Sequence, residues 1–466
     1  MKIKHFLYFT GFILLIGFIL MLGTGCAQIG APTGGPKDSI APVLISSNPA
    51  LFTTNFKGNK IVLTFDEYID VQDVQNNVLV SPYPKNNPMV DFKLKTVTVK
   101  LKDTLLANTT YAINFGNAIK DNNEGNPFKN FTYVFSTGKT IDSLKIKGTV
   151  IVAETGKKDS TILALLYRNV DDSAVQKRKP DYIAKLDSAG RFTFTNLSAG
   201  KYKMYALKDG DGGKTYNSKI ELFAFADSEI ILADSIKLPF TLYAYAEEKD
   251  IKKVPVAIPS KASLADKKLR YTTNLSNNEQ DLLTDLVITT NHPLKTFDTS
   301  KIILTDTNYN KISGTFKIDS SQKTIHIKTT WKEDFDYRLL INKTAFADSV
   351  GTQLTKSDTI KLKSKKESEY GNLTLRFTNL GAVINPVLQF IKGEEIYKTV
   401  RITSTTWTDK LFVPGEYELR ILFDANNNGV WDAGNYAKKL QPEKAITLDT
   451  KLNIKANWDN ERDIKL

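Results

Sequence analysis

A chain of 466 residues has room for about three domains, and a hydrophobic fraction of 41% provides apolar side chains for several cores. Its net charge of +12 comes from 63 basic and 51 acidic residues that are interspersed, whereas nucleic-acid binders gather basic residues into a patch or stripe, so we expect no nucleic-acid partner. One cysteine excludes an intramolecular disulfide and a multi-cysteine zinc site.

The N-terminal segment has the pattern of a secretory leader. A positively charged start, "MKIKH", precedes an apolar run over residues 6–22, and small residues follow it. The only cysteine, Cys26, stands directly after "GTG", and this arrangement resembles the lipobox of bacterial lipoproteins. The resemblance implies that a signal peptide of residues 1–25 is removed and that Cys26 is lipidated. Leu22 lies four residues before the cysteine instead of the usual three, and the alternative is an uncleaved transmembrane anchor.

Residues 26–41 are predicted to form a Pro/Gly tether between the lipid and the first folded domain. Ala27 follows the cysteine, whereas an Asp at this position would resemble an inner-membrane retention signal. We therefore expect a protein that is lipid-anchored in the outer membrane, with the choice between its periplasmic and cell-surface faces left open.

Almost all of the sequence after Pro42 has the pattern of β-strands. Short alternating or β-branched runs, such as "NKIVLTFDEYID" and "LKTVTVKLKD", are separated by clusters of Asn, Asp, Gly and Pro. Strands separated by turn signals about every eight to twelve residues are typical of antiparallel sandwiches. The sequence therefore predicts an all-β chain of tandem β-sandwiches.

Two internal repeats divide these strands into four units. The run "KTVTVKLKD" matches "KTIHIKTTW", and "SAGKYKMYALKDGDGG" resembles "VPGEYELRILFDANNN". The predicted order is A-B-A′-B′, with a charged, Pro-containing linker at 246–264. The predicted bounds are 42–138 for A, 142–245 for B, 265–363 for A′ and 370–466 for B′.

These units resemble known domain families. The runs "KIVLTFDEYID" and "YAINFGNAIKDNNEGNPFKNFTYVFSTG" make A similar to the SbsA-type bacterial Ig-like domain, and A′ is its divergent repeat. The run "DSAGRFTFTNLSAGKYKMYALKDGDG" makes B similar to transthyretin-like, carboxypeptidase-regulatory β-sandwiches, and B′ is the repeat of B. With the lipobox and the "PTGGPKD" tether, the chain resembles a family of Bacteroidota outer-membrane lipoproteins.

The B′ sequence "DANNNGVWDAGN" has a spacing similar to that of a calcium-binding loop. It places oxygen ligands at positions one, three, five, seven and nine of an EF-hand-like loop, namely Asp424, Asn426, Asn428, Val430 and Asp432. Position twelve is Asn instead of the bidentate Glu, the flanking segments are predicted strands, and the equivalent B segment, "DGDGG", offers fewer ligands. The alternative is a capped hairpin turn, since Asn, Asp and Gly also build such turns. No other cofactor is predicted.

The sequence shows no recognised catalytic constellation. Asp66 and Glu67 in "TFDEYID" would serve a glycosidase only if they faced each other across a cleft, but adjacent residues of a strand point to opposite faces. Four aromatic residues are candidates for binding sugar or peptide: Tyr216, Trp407, Trp431 and Trp458. Core or turn packing is the alternative role for them.

These observations predict a non-enzymatic, lipid-anchored scaffold or interaction protein, an accessory of an outer-membrane transport, assembly or secretion complex. Its predicted contacts are the membrane, through lipidated Cys26, and an outer-membrane protein partner. Four sandwiches strung end to end would form an extended rod. The alternative function is carbohydrate binding or processing at the surface, since fold resemblance alone is a weak guide to function.

Overall fold

The computed structural model describes residue 11 and residues 37–169, 171–233, 239–249 and 268–466. Within these ranges the chain is all-β, with 35 strands, and the predicted fold class is confirmed. The described helical segments are short: Val74–Asn77, Ala174–Lys177 and the 3₁₀ turns Thr299–Lys301, Glu367–Glu369 and Leu380–Ala382.

Several predictions about the N-terminus and the linker fall outside these ranges. Apart from residue 11, the predicted leader is not among the described residues, and neither are Cys26, most of the tether and most of the linker. Among the residues that are described, no helix has the length and apolar character needed to span a membrane.

A contains nine strands in two layers. They are β1 (Leu44–Asn48), β2 (Lys60–Phe65), β3 (Ile69–Val71), β4 (Leu79–Ser81), β5 (Met89–Lys93), β6 (Thr96–Lys100), β7 (Thr110–Asn114), β8 (Ile119–Asp121) and β9 (Thr132–Ser136). One sheet has the order β1-β2-β6-β5, and the opposing strands pair as β4-β7-β9 and β3-β8. Ile61, Leu63 and Phe65 of β2 are fully buried and alternate with less buried residues, because one face of the strand lies on the core.

B contains eight strands. They are β10 (Leu144–Val152), β11 (Leu163–Arg168), β12 (Tyr182–Lys185), β13 (Arg191–Leu197), β14 (Gly200–Leu207), β15 (Phe223–Phe225), β16 (Ile230–Leu232) and β17 (Phe240–Ala244). One sheet has the order β13-β10-β17 and the other β12-β11-β14-β15, with β16 also paired to β14. The first strand, β10, and the last, β17, run parallel.

A′ repeats the strand order of A. Its strands are β18 (Tyr271–Thr273), β19 (Glu279–Gln280), β20 (Leu286–Thr290), β21 (Leu294–Phe297), β22 (Ile302–Thr305), β23 (Thr315–Ile318), β24 (Thr324–Lys328), β25 (Asp336–Ile341), β26 (Phe346–Asp348) and β27 (Asp358–Ser364). The sheets are β18-β20-β24-β23, β19-β27-β25-β22 and β21-β26, so β19 is the addition relative to A. The hydroxyl of Tyr111 in A accepts the backbone N–H five residues earlier at 2.8 Å, and Tyr337 in A′ does the same.

B′ repeats the strand order of B. Its strands are β28 (Gly371–Thr378), β29 (Pro386–Lys392), β30 (Glu395–Arg401), β31 (Thr406–Phe412), β32 (Gly415–Phe423), β33 (Lys444–Thr447), β34 (Leu452–Ile454) and β35 (Asp459–Lys465). The sheets are β31-β28-β35 and β30-β29-β32-β33, with β34 also paired to β32. The first and last strands, β28 and β35, again run parallel.

The chain divides into two compact units, residues 1–141 and residues 142–466. Within the second unit, B′ packs directly on B although A′ separates them in sequence. The N–H of Ala445 donates to the carbonyl of Ala153 at 2.9 Å, and the hydroxyl of Thr447 donates to the carbonyl of Thr155 at 2.5 Å. B′ therefore returns to B, and the end-to-end arrangement considered above does not hold for B, A′ and B′.

Candidate functional site

The loop between β32 and β33, residues 424–443, contains all five predicted calcium ligands, and Asp424 closes its first turn. Asp424 is fully buried. Its Oδ1 accepts the N–H of Asn428 at 3.0 Å and its Oδ2 accepts the N–H of Gly429 at 2.7 Å. Gly429 has φ +83°, a conformation that glycine adopts without steric cost. The start of the loop is therefore a carboxylate-capped turn.

The structure brings four of the predicted ligand side chains into one hydrogen-bonded network. The side-chain amides of Asn426 and Asn428 each donate to Oδ2 of Asp432 at 2.6 Å. The N–H of Val430 donates to Oδ1 of Asn428 at 2.8 Å, while the Val430 side chain is exposed. In this arrangement the two Asn side chains present N–H groups to Asp432, and calcium binding would require them to turn their oxygens inward. The capped-turn interpretation accounts for these contacts, and the calcium site stays a prediction.

Glu443 completes the loop, and sequence reasoning missed it. Its Oε1 accepts the N–H of Ala425 at 2.8 Å and its Oε2 accepts the N–H of Asp432 at 3.1 Å. Its backbone carbonyl accepts Nε1–H of Trp431 at 2.8 Å. The only sequence signal is an acidic residue immediately before β33, eleven positions beyond the last predicted ligand, where no ligand spacing would place it.

The equivalent loop of B contains a third carboxylate beyond the two in the "DGDGG" segment. Carboxylate oxygens of Asp209, Asp211 and Glu221 lie within 4.8 Å of one another. Strand register pairs Leu207 with Phe223 in B and Leu422 with Ala445 in B′, so Glu221 and Glu443 both stand two residues before equivalent positions. The "DGDGG" segment considered in the sequence ends at residue 213 and so does not reach Glu221.

The chain itself supplies a positive charge to this acidic cluster. Nζ of Lys214 pairs with Asp209, and the side-chain amide of Asn217 donates to Asp211 at 2.7 Å. Oε2 of Glu221 is buried and has no hydrogen-bond partner among the described residues. Both loops are thus closed by amide and backbone donors, in B by the N–H of Lys214 on Oδ1 of Asp209 at 3.1 Å, and the B loop adds the Lys214–Asp209 ion pair.

The second half of the B′ loop inserts Tyr436 into B. Its hydroxyl donates to the carbonyl of Asp172 at 2.6 Å and lies 3.2 Å from the hydroxyl of Tyr205. Its ring packs edge-on against Phe223, with centroids 5.0 Å apart, and Nζ of Lys439 lies 3.9 Å from its centroid. Buried tyrosines combine a large apolar area with a hydroxyl that needs a hydrogen-bond partner. B supplies both the apolar contact and the partner.

Contacts around Tyr436 fix the rest of the loop on B and on Glu247, which follows just after B. The N–H of Tyr436 donates to Oε1 of Glu247 at 2.9 Å, and the side-chain amide of Gln441 donates to Oδ1 of Asp227 at 2.6 Å. Gly434 passes so close to B that a Cβ would lie 2.6 Å from Cζ of Tyr245. The segment therefore tolerates no side chain at Gly434.

The carboxylate of Asp172 is the central charged group of this junction. Lys203 and Lys439 pair with its carboxylate at 2.6 and 3.0 Å. The hydrogen bond from Lys203 lowers the pKa of Asp172, partial burial opposes this, and Lys439 lowers it further. Cavities of about 380 and 550 Å³ lie beside these residues, and the side chains lining them include both lysines and carboxylates. The described residues of the junction present polar, mixed-charge surfaces.

Of the other predicted candidates, Trp431 lies within this loop and Tyr216 packs against it, with its ring centroid 6.2 Å from that of Tyr436. The rest, Asp66, Glu67, Trp407 and Trp458, lie outside the loop. Asp66 accepts the N–H of Val43 at 2.8 Å, and the pKa of Glu67 is raised by partial burial and by neighbouring carboxylates, first Asp121 and then Asp66. Of the four aromatic candidates, Tyr216 is buried, Trp407 and Trp431 are half-buried, and Trp458 is 61% exposed.

Comparison with known proteins identifies part of the chain. The family described as "Bacterial Ig-like domain" matches residues 38–137, which confirms the Ig-like prediction for A. No curated protein sequence matches the chain.

Several solved structures give partial matches. The N-terminal part of the bacterial S-layer protein SbsC is 17% identical, with 44% of each chain covered and a TM-score of 0.16; the chain thus spans less than half of that fragment. BcpA, the major pilin subunit of Bacillus cereus, is 11% identical over 70% of this chain and 99% of its own, with a TM-score of 0.17. The Bacillus anthracis TIE protein is 11% identical over 93% and 76%, with a TM-score of 0.15. TM-scores this low support no argument about the whole chain.

Proposed function

We propose that this protein is a lipid-anchored, non-enzymatic scaffold of the outer membrane that holds a partner in a transport, assembly or secretion complex. The observation that carries the proposal is the junction between B and B′, where a 20-residue loop closes one sandwich onto another across an intervening domain. Such a junction holds separate surfaces in a fixed relation, which is what a scaffold requires.

The roles of the carboxylates support a structural function. Asp121 accepts four backbone N–H groups, from residues 123 to 126, at 2.6–3.0 Å. Burial raises the pKa of Asp121, but these four hydrogen bonds outweigh it and lower the pKa below its ordinary value. A carboxylate held ionised by turn donors is poorly suited to donate a proton. Asp348 caps the equivalent turn of A′ through the N–H groups of Val350 and Thr352.

The lipid anchor rests on the sequence around Cys26. A leader-like segment ends in the only cysteine of the chain, and each buried acyl methylene contributes about 0.8 kcal/mol to membrane binding. Several acyl chains on Cys26 would make the attachment effectively permanent. The resemblance to Bacteroidota outer-membrane lipoproteins, with an Ig-like first domain and transthyretin-like repeats, supports the same location.

Co-purification from membranes tests the scaffold proposal. We expect the tagged full-length chain, extracted in mild detergent, to bring an outer-membrane protein in a constant ratio, identified by mass spectrometry. Ile396→Ala, a change at an exposed position of B′, serves as the matched control for Tyr436→Ala, which should weaken the association by loosening the junction. Recovery of the bare chain in several mild detergents would contradict the proposal.

Mass spectrometry of the mature N-terminus tests the anchor separately. The expected peptide begins at acylated Cys26, and Cys26→Ser should abolish acylation while leaving the sandwiches folded. An intact leader, or a mature chain that starts at another unmodified residue, would remove the anchor and the location built on it.

Carbohydrate binding is the second candidate, and Trp458 is the observation that favours it. Its ring is exposed, and Nζ of Lys455 lies 4.8 Å from the ring centroid. Binding of a polysaccharide panel that Trp458→Ala abolishes would support this role. Turnover that disappears in Asp66→Asn or Glu67→Gln would overturn the non-enzymatic proposal.

A further inference from the structure

One end of A exposes a cluster of apolar side chains where the described chain begins. This cluster, the entry end, consists of Ile40, Val43, Tyr68 and Leu94, each more than half exposed. Isolated exposed apolar residues need no explanation, but several grouped together mark a contact surface.

Hydrogen bonds bring the members of the entry end together from three parts of the chain. The N–H of Asp66 donates to the carbonyl of Val43 at 3.1 Å, and the N–H of Ile69 donates to the carbonyl of Leu94 at 3.0 Å. Nζ of Lys95 donates to the carbonyl of Asp66 at 2.5 Å and lies 5.7 Å from the ring centroid of Tyr68. The start of β1, the end of β2 and the β5–β6 turn therefore meet at one end of the sandwich.

Leu94 is not explained by the needs of its turn. It has φ +53°, a conformation that favours Gly, Asn or Asp in a hairpin and strains other residues. Its side chain is 63% exposed, so burial in the core of A does not offset that strain. A strained, exposed leucine points to a contact outside the domain.

The length of the preceding chain places this end close to the proposed anchor. Eleven Cα steps join Cys26 to Lys37, and whatever their conformation they span at most about 40 Å. The opposite end of A, where Leu106 is exposed, lies beyond strands of up to six residues, or about 20 Å farther. The tether therefore joins A beside the entry end, and this end can reach lipid attached at Cys26 without the tether having to pass along A.

The charges around the entry end favour an apolar contact over an electrostatic one. Three lysines, Lys37, Lys93 and Lys95, are outnumbered by five carboxylates, Asp38, Asp66, Glu67, Asp121 and Glu124. A surface driven by attraction to anionic lipid would show a clear excess of basic residues. Tyr beside aliphatic residues and a lysine stem is instead suited to the boundary between headgroups and acyl chains.

We propose that the entry end of A rests on the lipid surface, with Val43, Tyr68 and Leu94 inserted among the headgroups. This inference depends on the proposed acylation of Cys26. It assigns A a second, non-covalent membrane contact that fixes the domain close to the bilayer.

Site-specific quenching in vesicles tests the contact. Acylation blocks the only native thiol, so a cysteine introduced at one position is the only reactive thiol. Val43→Cys, Leu94→Cys and the control Leu106→Cys, which is 61% exposed at the opposite end, are labelled with an environment-sensitive fluorophore. The mature, acylated full chain is then placed in phosphatidylethanolamine/phosphatidylglycerol vesicles that contain a lipid-borne nitroxide.

We expect loss of most of the fluorescence at positions 43 and 94 and little loss at 106, with no change at high salt. Ile40→Cys provides a fourth reporter, and its quenching should fall when Val43→Asp and Leu94→Asp are added, since Asp tolerates the turn at position 94.

Equal quenching at 43, 94 and 106 would overturn the contact. Mass spectrometry of the same sample separates the two proposals: an acylated Cys26 with equal quenching rejects only the contact, whereas an unmodified Cys26 rejects the anchor and the contact together.

Discussion

B and B′ have equivalent strands and share one tyrosine–backbone hydrogen bond, the tyrosine lock, but their connecting loops differ. In both, a tyrosine hydroxyl of the central strand donates to the carbonyl four residues earlier at 2.8 Å, from Tyr202 to Ser198 and from Tyr417 to Val413. The B loop, 209–222, closes on itself through Lys214, whereas the B′ loop, 424–443, carries Tyr436 into the other sandwich. The comparison teaches that equivalent strands can carry loops with different roles, since the B′ loop adds Tyr436 to the junction contacts that β33 makes through Ala445 and Thr447.

The largest effect should come from removing the Tyr436 side chain. Tyr436→Ala loses a buried ring and two hydroxyl contacts, and burial losses of this size cost about 3–5 kcal/mol. We expect the urea unfolding of B and B′, followed by fluorescence, to separate into two transitions, the first at lower urea. Trp458→Ala is the matched control, since exposed substitutions change stability by about 0.5 kcal/mol or less. Equal behaviour of the two variants would show that the junction does not couple B to B′.

The two loops should respond differently to loss of their first carboxylate. Asp424→Ala removes a fully buried carboxylate that accepts two backbone N–H groups. The N–H of Gly429 loses its acceptor, the N–H of Asn428 keeps Oδ1 of Asn426, and each lost hydrogen bond costs about 0.5–1.5 kcal/mol. Asp209→Ala removes the acceptor of one backbone N–H, that of Lys214, and releases the partly exposed Lys214 ammonium, which water can solvate. We therefore expect the larger fall in the free energy of unfolding for Asp424→Ala. A larger fall for Asp209→Ala would reverse our account of how the loops are closed.

The shared tyrosine lock should give equal, smaller effects in both sandwiches. Tyr202→Phe and Tyr417→Phe each remove one hydroxyl while keeping a buried ring, and one such hydrogen bond contributes about 0.5–1.5 kcal/mol. Chemical denaturation of the two variants measures this directly. A loss confined to one variant would show that the equivalent hydrogen bonds do not have equivalent roles.

The sequence predicted the strand framework well, because alternation and repeat are local patterns. The motif Gly-x-Tyr, at Gly200 and Gly415, marks the same central strand in both units, and the two loops were found at equivalent positions. The junction could not be predicted, since Tyr436 meets Tyr205 across 231 positions of sequence. No periodicity distinguishes a tyrosine that packs on its own domain from one that packs on another.

The acidic residues that close the loops were missed for a related reason. Glu443 and Glu221 are brought into place by the register of the returning strand, not by their distance from the first Asp. Ligand motifs count positions along one curled segment, whereas here a strand partner supplies the last carboxylate. The same limit made the B loop seem poorer in carboxylates than it is.

The smallest expected effect is that of calcium on the B′ loop. The capped-turn interpretation predicts no shift in the thermal unfolding midpoint of the full chain between EDTA and millimolar Ca²⁺, because Asn426 and Asn428 already donate to Asp432 and both Asp424 oxygens accept backbone N–H groups. The calcium hypothesis predicts a rise in the midpoint that Asp432→Asn removes, since that change deletes one carboxylate ligand while keeping the shape of the side chain. Mg²⁺ at the same concentration controls for ionic strength, because it demands tighter octahedral geometry than such a loop offers. A Ca²⁺-specific rise that Asp432→Asn abolishes and that Asp211→Asn in the B loop leaves intact would establish the cation site and would make the difference between the two loops one of ligand binding as well as of packing.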